Sequence, residues 1–229
     1  MTTDKIIFSI AKENTLMGKI FLILAMIFVA PIVRLIWIKK VSGRVNLPAS
    51  PPYIIASNHQ SYFDFISLYS ILPQKPIFLA AEKFYSSKFW KPIMEYTGQI
   101  KVKRDANDKT EVMIKGKRVL EAGRVLGIFP QGTRSRSGKI EKTFTGVARF
   151  SVEAQVLVVP VGIKGAYRVM PPRAKRPKLK KIIEINIGKP LEFADYYKKI
   201  NSSEVYRELT NKIMIEIADL SSKDYNLGD

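Results

Sequence analysis

An α/β fold is predicted for this chain, a mixed, largely parallel sheet flanked by helices and preceded by a hydrophobic, membrane-associating N-terminal helical segment. Three observations carry that prediction. Short apolar runs alternate with longer stretches of helical period along most of the sequence, the rhythm of strand–helix–strand units that build parallel sheets. With 229 residues, 46% of them hydrophobic, one such domain has enough apolar material for its core. A long uncharged run near the N-terminus stands apart from this pattern.

That run extends from Ile20 to Val33 between Lys19 and Arg34, and is followed by Leu35-Ile36-Trp37-Ile38-Lys39-Lys40. It is apolar all round, unlike a helix on a soluble surface. Its 14 residues fall short of the roughly 20 needed to cross a bilayer, although Leu16 to Ile38 would reach that length. Pro31 breaks or kinks the helix. A bent helix lying in one leaflet, a single span, a buried core helix and a signal peptide are the competing readings, the last weakened by Pro31 directly after the small residue Ala30. Trp37, Arg34, Lys39 and Lys40 suit headgroup depth, where an indole and cations are at home. The chain is thus expected to divide into a membrane-associating segment, 1–40, and an α/β domain, 41–229.

Next, Ser42-Gly43 reads as a turn between extended pieces, and Pro48 to Pro52 as a linker. Strands are expected over Tyr53 to Ala56, Ile77 to Ala80, Gln99 to Val102, Val125 to Phe129, Val156 to Ile163 and Ile182 to Ile187. Helices are expected over Phe63 to Leu72, Lys83 to Tyr96, Lys109 to Ala122, Thr145 to Ala154 and Ser203 to Ala218. In such a sheet, functional loops belong at the carboxyl ends of the strands.

Lys and Arg number 38 against 20 for Asp and Glu, a formal charge of +18, so an acidic partner is expected. Nucleic acid, anionic lipid, phosphorylated substrates and acidic carrier proteins all answer that description. No RNP-type strand, zinc finger or basic heptad region is present, and nucleic acid is not the expected partner. With no cysteine and one histidine, disulfides, thiolate nucleophiles and cysteine-ligated zinc are excluded, and a protein metal site is not expected.

The single histidine, His59, lies in Ser57-Asn58-His59-Gln60-Ser61-Tyr62-Phe63-Asp64. Imidazole moves protons near neutral pH, and Asp64 can fix its tautomer and stabilise its charged form. A lone histidine is more often a loop or satisfied buried residue. Ser61 and Asn58 are both candidate helix caps. No Gly-x-Ser-x-Gly elbow supplies an enzymic nucleophile, so direct attack by a substrate hydroxyl is inferred. Lys101 and Lys103 alternate on one strand that ends at Arg104. Alternating lysines suit any half-buried strand, which makes Arg104 the better phosphate candidate. Phe129 to Lys139 leads a buried strand into a loop of glycines, hydroxyls and cations, with Gln131, Gly132, Thr133 and Arg134 at its start. Such a loop can offer N–H groups and a guanidinium fork to a phosphate. It is not a Walker A loop, since Gly132 and Gly138-Lys139 are one residue too far apart and Ile140 follows. From Arg168 to Lys181 there are seven cations and no acid, either a solvated loop or a docking surface for anionic lipid or an acidic carrier.

In order and spacing, Asn58-His59-x4-Asp64, Gly98-x-Ile100-x3-Arg104, Phe129-Pro130-Gln131-Gly132-Thr133-Arg134-Ser135 and Val159-Pro160-Val161 resemble the four blocks of the glycerophospholipid acyltransferases, most closely the bacterial PlsC type, over roughly residues 40 to 195. The resemblance implies acyl transfer from an acyl carrier protein or coenzyme A thioester to the sn-2 hydroxyl of lysophosphatidic acid, at the inner leaflet of the cell membrane with the catalytic domain on the cytoplasmic side. It implies no cofactor beyond the thioester co-substrate. His59 and Asp64 would be the catalytic pair, and Arg104, Gly132, Thr133 and Arg134 the acceptor's phosphate ligands, with Gln131, Lys101 and Lys103 beside them. The third block of that family usually carries Glu where this chain has Gln131, which keeps an acceptor oxygen but loses the charge. Rival readings are another lysolipid acceptor, such as lyso-ornithine lipid, and a non-catalytic basic protein on the same scaffold.

Overall fold

A computed structural model of the chain describes residues 15–102, 110–197 and 202–225. The first element is the apolar helix α1 (Leu16–Ile36), capped by the Thr15 hydroxyl, which accepts from the Gly18 N–H at 3.1 Å. It relaxes to π geometry over Ala25–Val29, just ahead of Pro31, which has no N–H for the regular ladder and crowds the carbonyl one turn back. Ala30 and Val33 are buried, whereas Leu16, Ile20, Ile23, Ile27, Phe28, Ile32 and Leu35 are exposed.

The α/β body follows as β1 (Ile38–Ser42), β2 (Tyr53–Ser57), α2 (Tyr62–Ile71), β3 (Ile77–Ala81), α3 (Trp90–Tyr96), β4 (Ile100–Val102), α4 (Thr110–Glu121), β5 (Val125–Ile128), α5 (Gly146–Ala154), β6 (Val158–Lys164), the single turn α6 (Ala166–Val169), β7 (Ile183–Ile187) and α7 (Ser203–Ser221). The strands form one sheet in the order β1-β7-β6-β2-β5-β3-β4. Neighbours from β6 to β4 are parallel, β7 runs antiparallel to β6, and β1 is parallel to β7. This is the mixed, largely parallel sheet expected. The carboxyl ends of β2, β3, β4, β5 and β6 therefore share one edge, which gathers their loops.

Two local readings change. The extended piece after α1 is a sheet strand, with the Ile183 N–H donating to Trp37 O at 2.8 Å, and the division drawn between residues 40 and 41 falls inside it. The helix expected over Lys83 to Tyr96 is a 3₁₀ turn, Glu82–Phe84, and the separate α3. A continuous helix would bury Pro92 in its interior without an N–H; starting at Trp90 puts that proline in the first turn, where no bond is lost.

Because side chains alternate across a strand, the sheet has two apolar faces. One packs Ile54, Leu126, Ile128 and Val158 against α4, α5 and α7. The other packs Tyr53, Ile55, Val159, Val161 and Ile185 against α1, α2 and α6. Helix α7 approaches β6 closely at Gly162, where a Cβ would lie 2.3 Å from the Leu220 carbonyl carbon. Along α1, Phe21 meets Tyr96 of α3 at 5.3 Å between ring centroids, and Arg34 Nε donates to Ser70 O of α2 at 2.8 Å.

Candidate active site

Strand β2 delivers His59 to the edge. At the strand's end Asn58 is fully buried, and its side-chain amide stands in for a backbone pair: Nδ2 donates to Ile163 O at 2.9 Å, and Oδ1 accepts from the Ile163 N–H at 2.8 Å. Asn58 thus ties the chain to β6 just before it turns, and the α2 cap is Ser61, whose hydroxyl accepts from the Phe63 N–H at 3.1 Å. Asp64, at the third position of α2, completes a capping box. Its Oδ2 accepts from the backbone N–H groups of Gln60 at 2.5 Å and Ser61 at 2.7 Å, and lies 3.0 Å from His59 Nδ1. Three donors thus converge on Oδ2 at the helix N-terminus, while Oδ1 is buried with no hydrogen-bond partner.

This arrangement makes Nδ1 the protonated nitrogen of neutral His59, leaving Nε2 as the acceptor of a ring that lines the cleft. The imidazole stacks on Phe129 at 4.0 Å, and Phe129 on Phe78 at 5.1 Å. Such packing locks the imidazole in one rotamer.

The loop after β5 grips His59 through its backbone. Gln131 is buried behind the histidine and does not line the cleft; its Oε1 accepts from the His59 N–H at 2.9 Å, and Ser135 N–H donates to His59 O at 2.8 Å. Gly132 turns the loop at φ 67°, a conformation natural to glycine. Thr133 and Arg134 line the cleft, with the Arg134 guanidinium 3.7 Å above the Tyr62 ring. Beneath the loop, Gln60 Nε2 and Lys223 Nζ both donate to Gly138 O. Burial pushes the Lys223 amine below its ordinary pKa, with the Asp64 carboxylate acting in the opposite sense.

The cleft, about 550 Å³, is also lined by Lys83, Phe84, Arg136, Tyr167, Pro171, Pro172 and Arg173. Lys83 follows β3, so the rule that loops at carboxyl strand ends carry function would have found it. Arg173 belongs to the basic stretch, and Tyr167 fixes the glycine-rich loop by donating to Arg136 O at 2.8 Å. Lys101 is not in the cleft; it sits on edge strand β4, 3.8 Å from Glu82. Lys103 and Arg104 lie outside the described residues. The Val159-Pro160-Val161 block forms the buried middle of β6, which makes it part of the scaffold beneath Asn58. Among the described residues no three His, Asp or Glu side chains gather as a metal site.

Chemically, the cleft can take a proton at His59 Nε2 and hold anions on Arg134, Arg136, Arg173 and Lys83. A family model described as Acyltransferase matches residues 39–164, more than half of the 229 residues. The 1-acyl-sn-glycerol-3-phosphate acyltransferase of Bacillus subtilis is 26% identical over 185 residues, 80% of this chain and 88% of that protein. The Arabidopsis thaliana chloroplast enzyme LPAT1 is 28% identical over 134 residues, 58% of this chain but 37% of its own; the human alpha enzyme is 29% identical over 124 residues, 44% of its length. The chain thus spans well under half of those two longer relatives. Among solved structures, the 1-acyl-sn-glycerophosphate acyltransferase PlsC of Thermotoga maritima superposes with a TM-score of 0.70 at 22% identity, covering 91% of this chain and 83% of that one. With the matched segment running from β1 to the end of β6, through the His59–Asp64 pair and the loop that clasps it, the chain belongs to the acyltransferase family.

Proposed function

We propose that this chain transfers a fatty acyl group from a thioester of acyl carrier protein or coenzyme A to the sn-2 hydroxyl of lysophosphatidic acid, giving phosphatidic acid. The observation that carries the reading is a histidine fixed by a buried carboxylate in a cleft lined by four cations. His59 Nε2 removes the hydroxyl proton, and Asp64 stabilises the imidazolium. The substrate oxygen attacks the thioester carbonyl; the C–S bond then breaks, and the thiolate takes the proton back from His59. Arg134, with Thr133, holds the acceptor phosphate, and Arg104 is assigned the same task from its sequence position. The relatives' names support this acceptor, and no cofactor beyond the thioester is invoked.

The exposed apolar face of α1 supports location at the membrane, which we assign to the inner leaflet with the cleft on the cytoplasmic side. Helix α1 packs along α2 and α3. If it crossed the bilayer, α3 with its exposed Lys91 would be drawn toward hydrocarbon, at a cost of about 2.5–3.5 kcal/mol per buried charge. A helix lying in the leaflet avoids that cost.

Purified protein in lipid vesicles, given lysophosphatidic acid and each thioester in turn, should form phosphatidic acid detectable by mass spectrometry. His59→Ala and Asp64→Asn should lower turnover by about 10²–10⁴-fold, the usual range for general acid–base catalysis. No product from either donor with folded protein, or product only with lyso-ornithine lipid as acceptor, would sink the assignment.

A further inference from the structure

At the opposite end of α2 from Asp64 lies a second concavity of about 730 Å³, lined by Met26 and Arg34 of α1, Arg44 from the turn after β1, and Leu72, Gln74 and Lys75 among others. Three cations converge on it, and no Asp or Glu lines it. Among the described residues, none of the three forms an ion pair with a carboxylate.

The groove is held in shape. Arg34 Nε donates to Ser70 O at 2.8 Å, and Lys75 Nζ donates to Tyr69 O at 3.0 Å and to Leu72 O. Arg44 stands on a turn set by Gly43 at φ 75° and by Asn46 Nδ2, which donates to Ile187 O at 2.8 Å. Capping of α2 accounts for part of this, since cations belong at a helix C-terminus. Yet a helix end offers only about half a negative charge against three positive ones, and Arg44 takes no part in that cap. Burial, and next the charge of Arg34, push Lys75 down to about 8, as expected for a partly buried amine beside another cation. Beside the groove, the exposed Ile23 and Ile27 of α1 offer an apolar surface.

We propose that Arg34, Arg44 and Lys75 form a second binding site, for a phosphate ester, separate from the cleft that holds His59. An anionic lipid headgroup, with its chains against α1, and a soluble phosphate ester both carry this chemistry. The inference does not depend on the acyl-transfer assignment.

Brief labelling of the full-length protein with an amine-reactive ester at about pH 7, read by peptide mass spectrometry, reports the neutral-amine fraction of Lys75. A bound phosphate that raises its pKa by about one unit slows labelling about tenfold, with Lys212 on α7 as the internal reference. Slowing by phosphatidylglycerol vesicles but not by phosphatidylcholine vesicles or glycerol 3-phosphate assigns the lipid headgroup. Slowing by glycerol 3-phosphate as well assigns a phosphate ester from either source. In both cases Arg44→Gln should restore the faster rate. Unchanged labelling in every arm, or slowing that persists in Arg44→Gln, overturns the site.

Discussion

Gln131 meets His59 through the backbone, which separates two roles that a residue in this loop can play. A phosphate ligand needs charge or donors facing the cleft; Gln131 instead supplies an acceptor to a peptide N–H, and its Nε2 is 3.5 Å from Lys139 O. Gln131→Glu keeps the acceptor oxygen and should hold turnover within about tenfold of the parent, the cost of one altered polar contact. Gln131→Leu leaves the His59 N–H without its partner at a cost of about 1–3 kcal/mol. It should lose more than tenfold in turnover and melt lower by roughly 2–4 °C per kcal/mol for a chain of this size. Steady-state kinetics beside thermal melts would test this; a Leu variant matching the parent in both would remove Gln131 from the positioning of His59.

At the scale of elements, the β6–α7 contact sets the platform on which Asn58 hooks. Gly162 precedes Ile163, the residue that Asn58 clasps from both sides. A methyl at Gly162 would meet α7 backbone at 2.3–2.4 Å, and overpacking of that kind costs about 1–3 kcal/mol. Gly162→Ala should therefore lower the melting temperature and reduce turnover together. Gly146→Ala, at the start of α5 where an added Cβ meets nothing within 4 Å, should leave both unchanged or gain a little stability. Calorimetry on the two variants decides the matter, since equal melting temperatures would mean that α7 can move away from β6 at no cost.

For the molecule as a whole, α1 is the element that leaves a long apolar stripe uncovered. Its buried stripe serves the domain, and its outer stripe, with Leu16 at 75% and Leu35 at 70% exposure, serves nothing within the described residues. Replacing Ile23 and Ile27 together by Asp should abolish co-flotation with lipid vesicles while leaving the circular-dichroism melt in place, because both side chains are already in the open. Co-flotation undiminished in that variant would assign membrane contact to the basic stretch between Arg168 and Lys181 instead. The charge of +18 would add to either contact on an anionic surface.

Local chemistry made most of the fold and the pairing of His59 with Asp64 legible in the sequence. Strand and helix periods depend on near neighbours, and Ser61-x-x-Asp64 is a capping box that sets the Asp64 carboxylate at the helix start, 3.0 Å from His59 Nδ1. Tertiary structure decided the rest. It set Gln131 behind the histidine, paired Lys101 with Glu82 at the sheet edge and brought Lys83, Tyr167 and Arg173 to one cleft. Strand order and the direction of a loop side chain follow from long-range pairing, which leaves no period in the sequence to read.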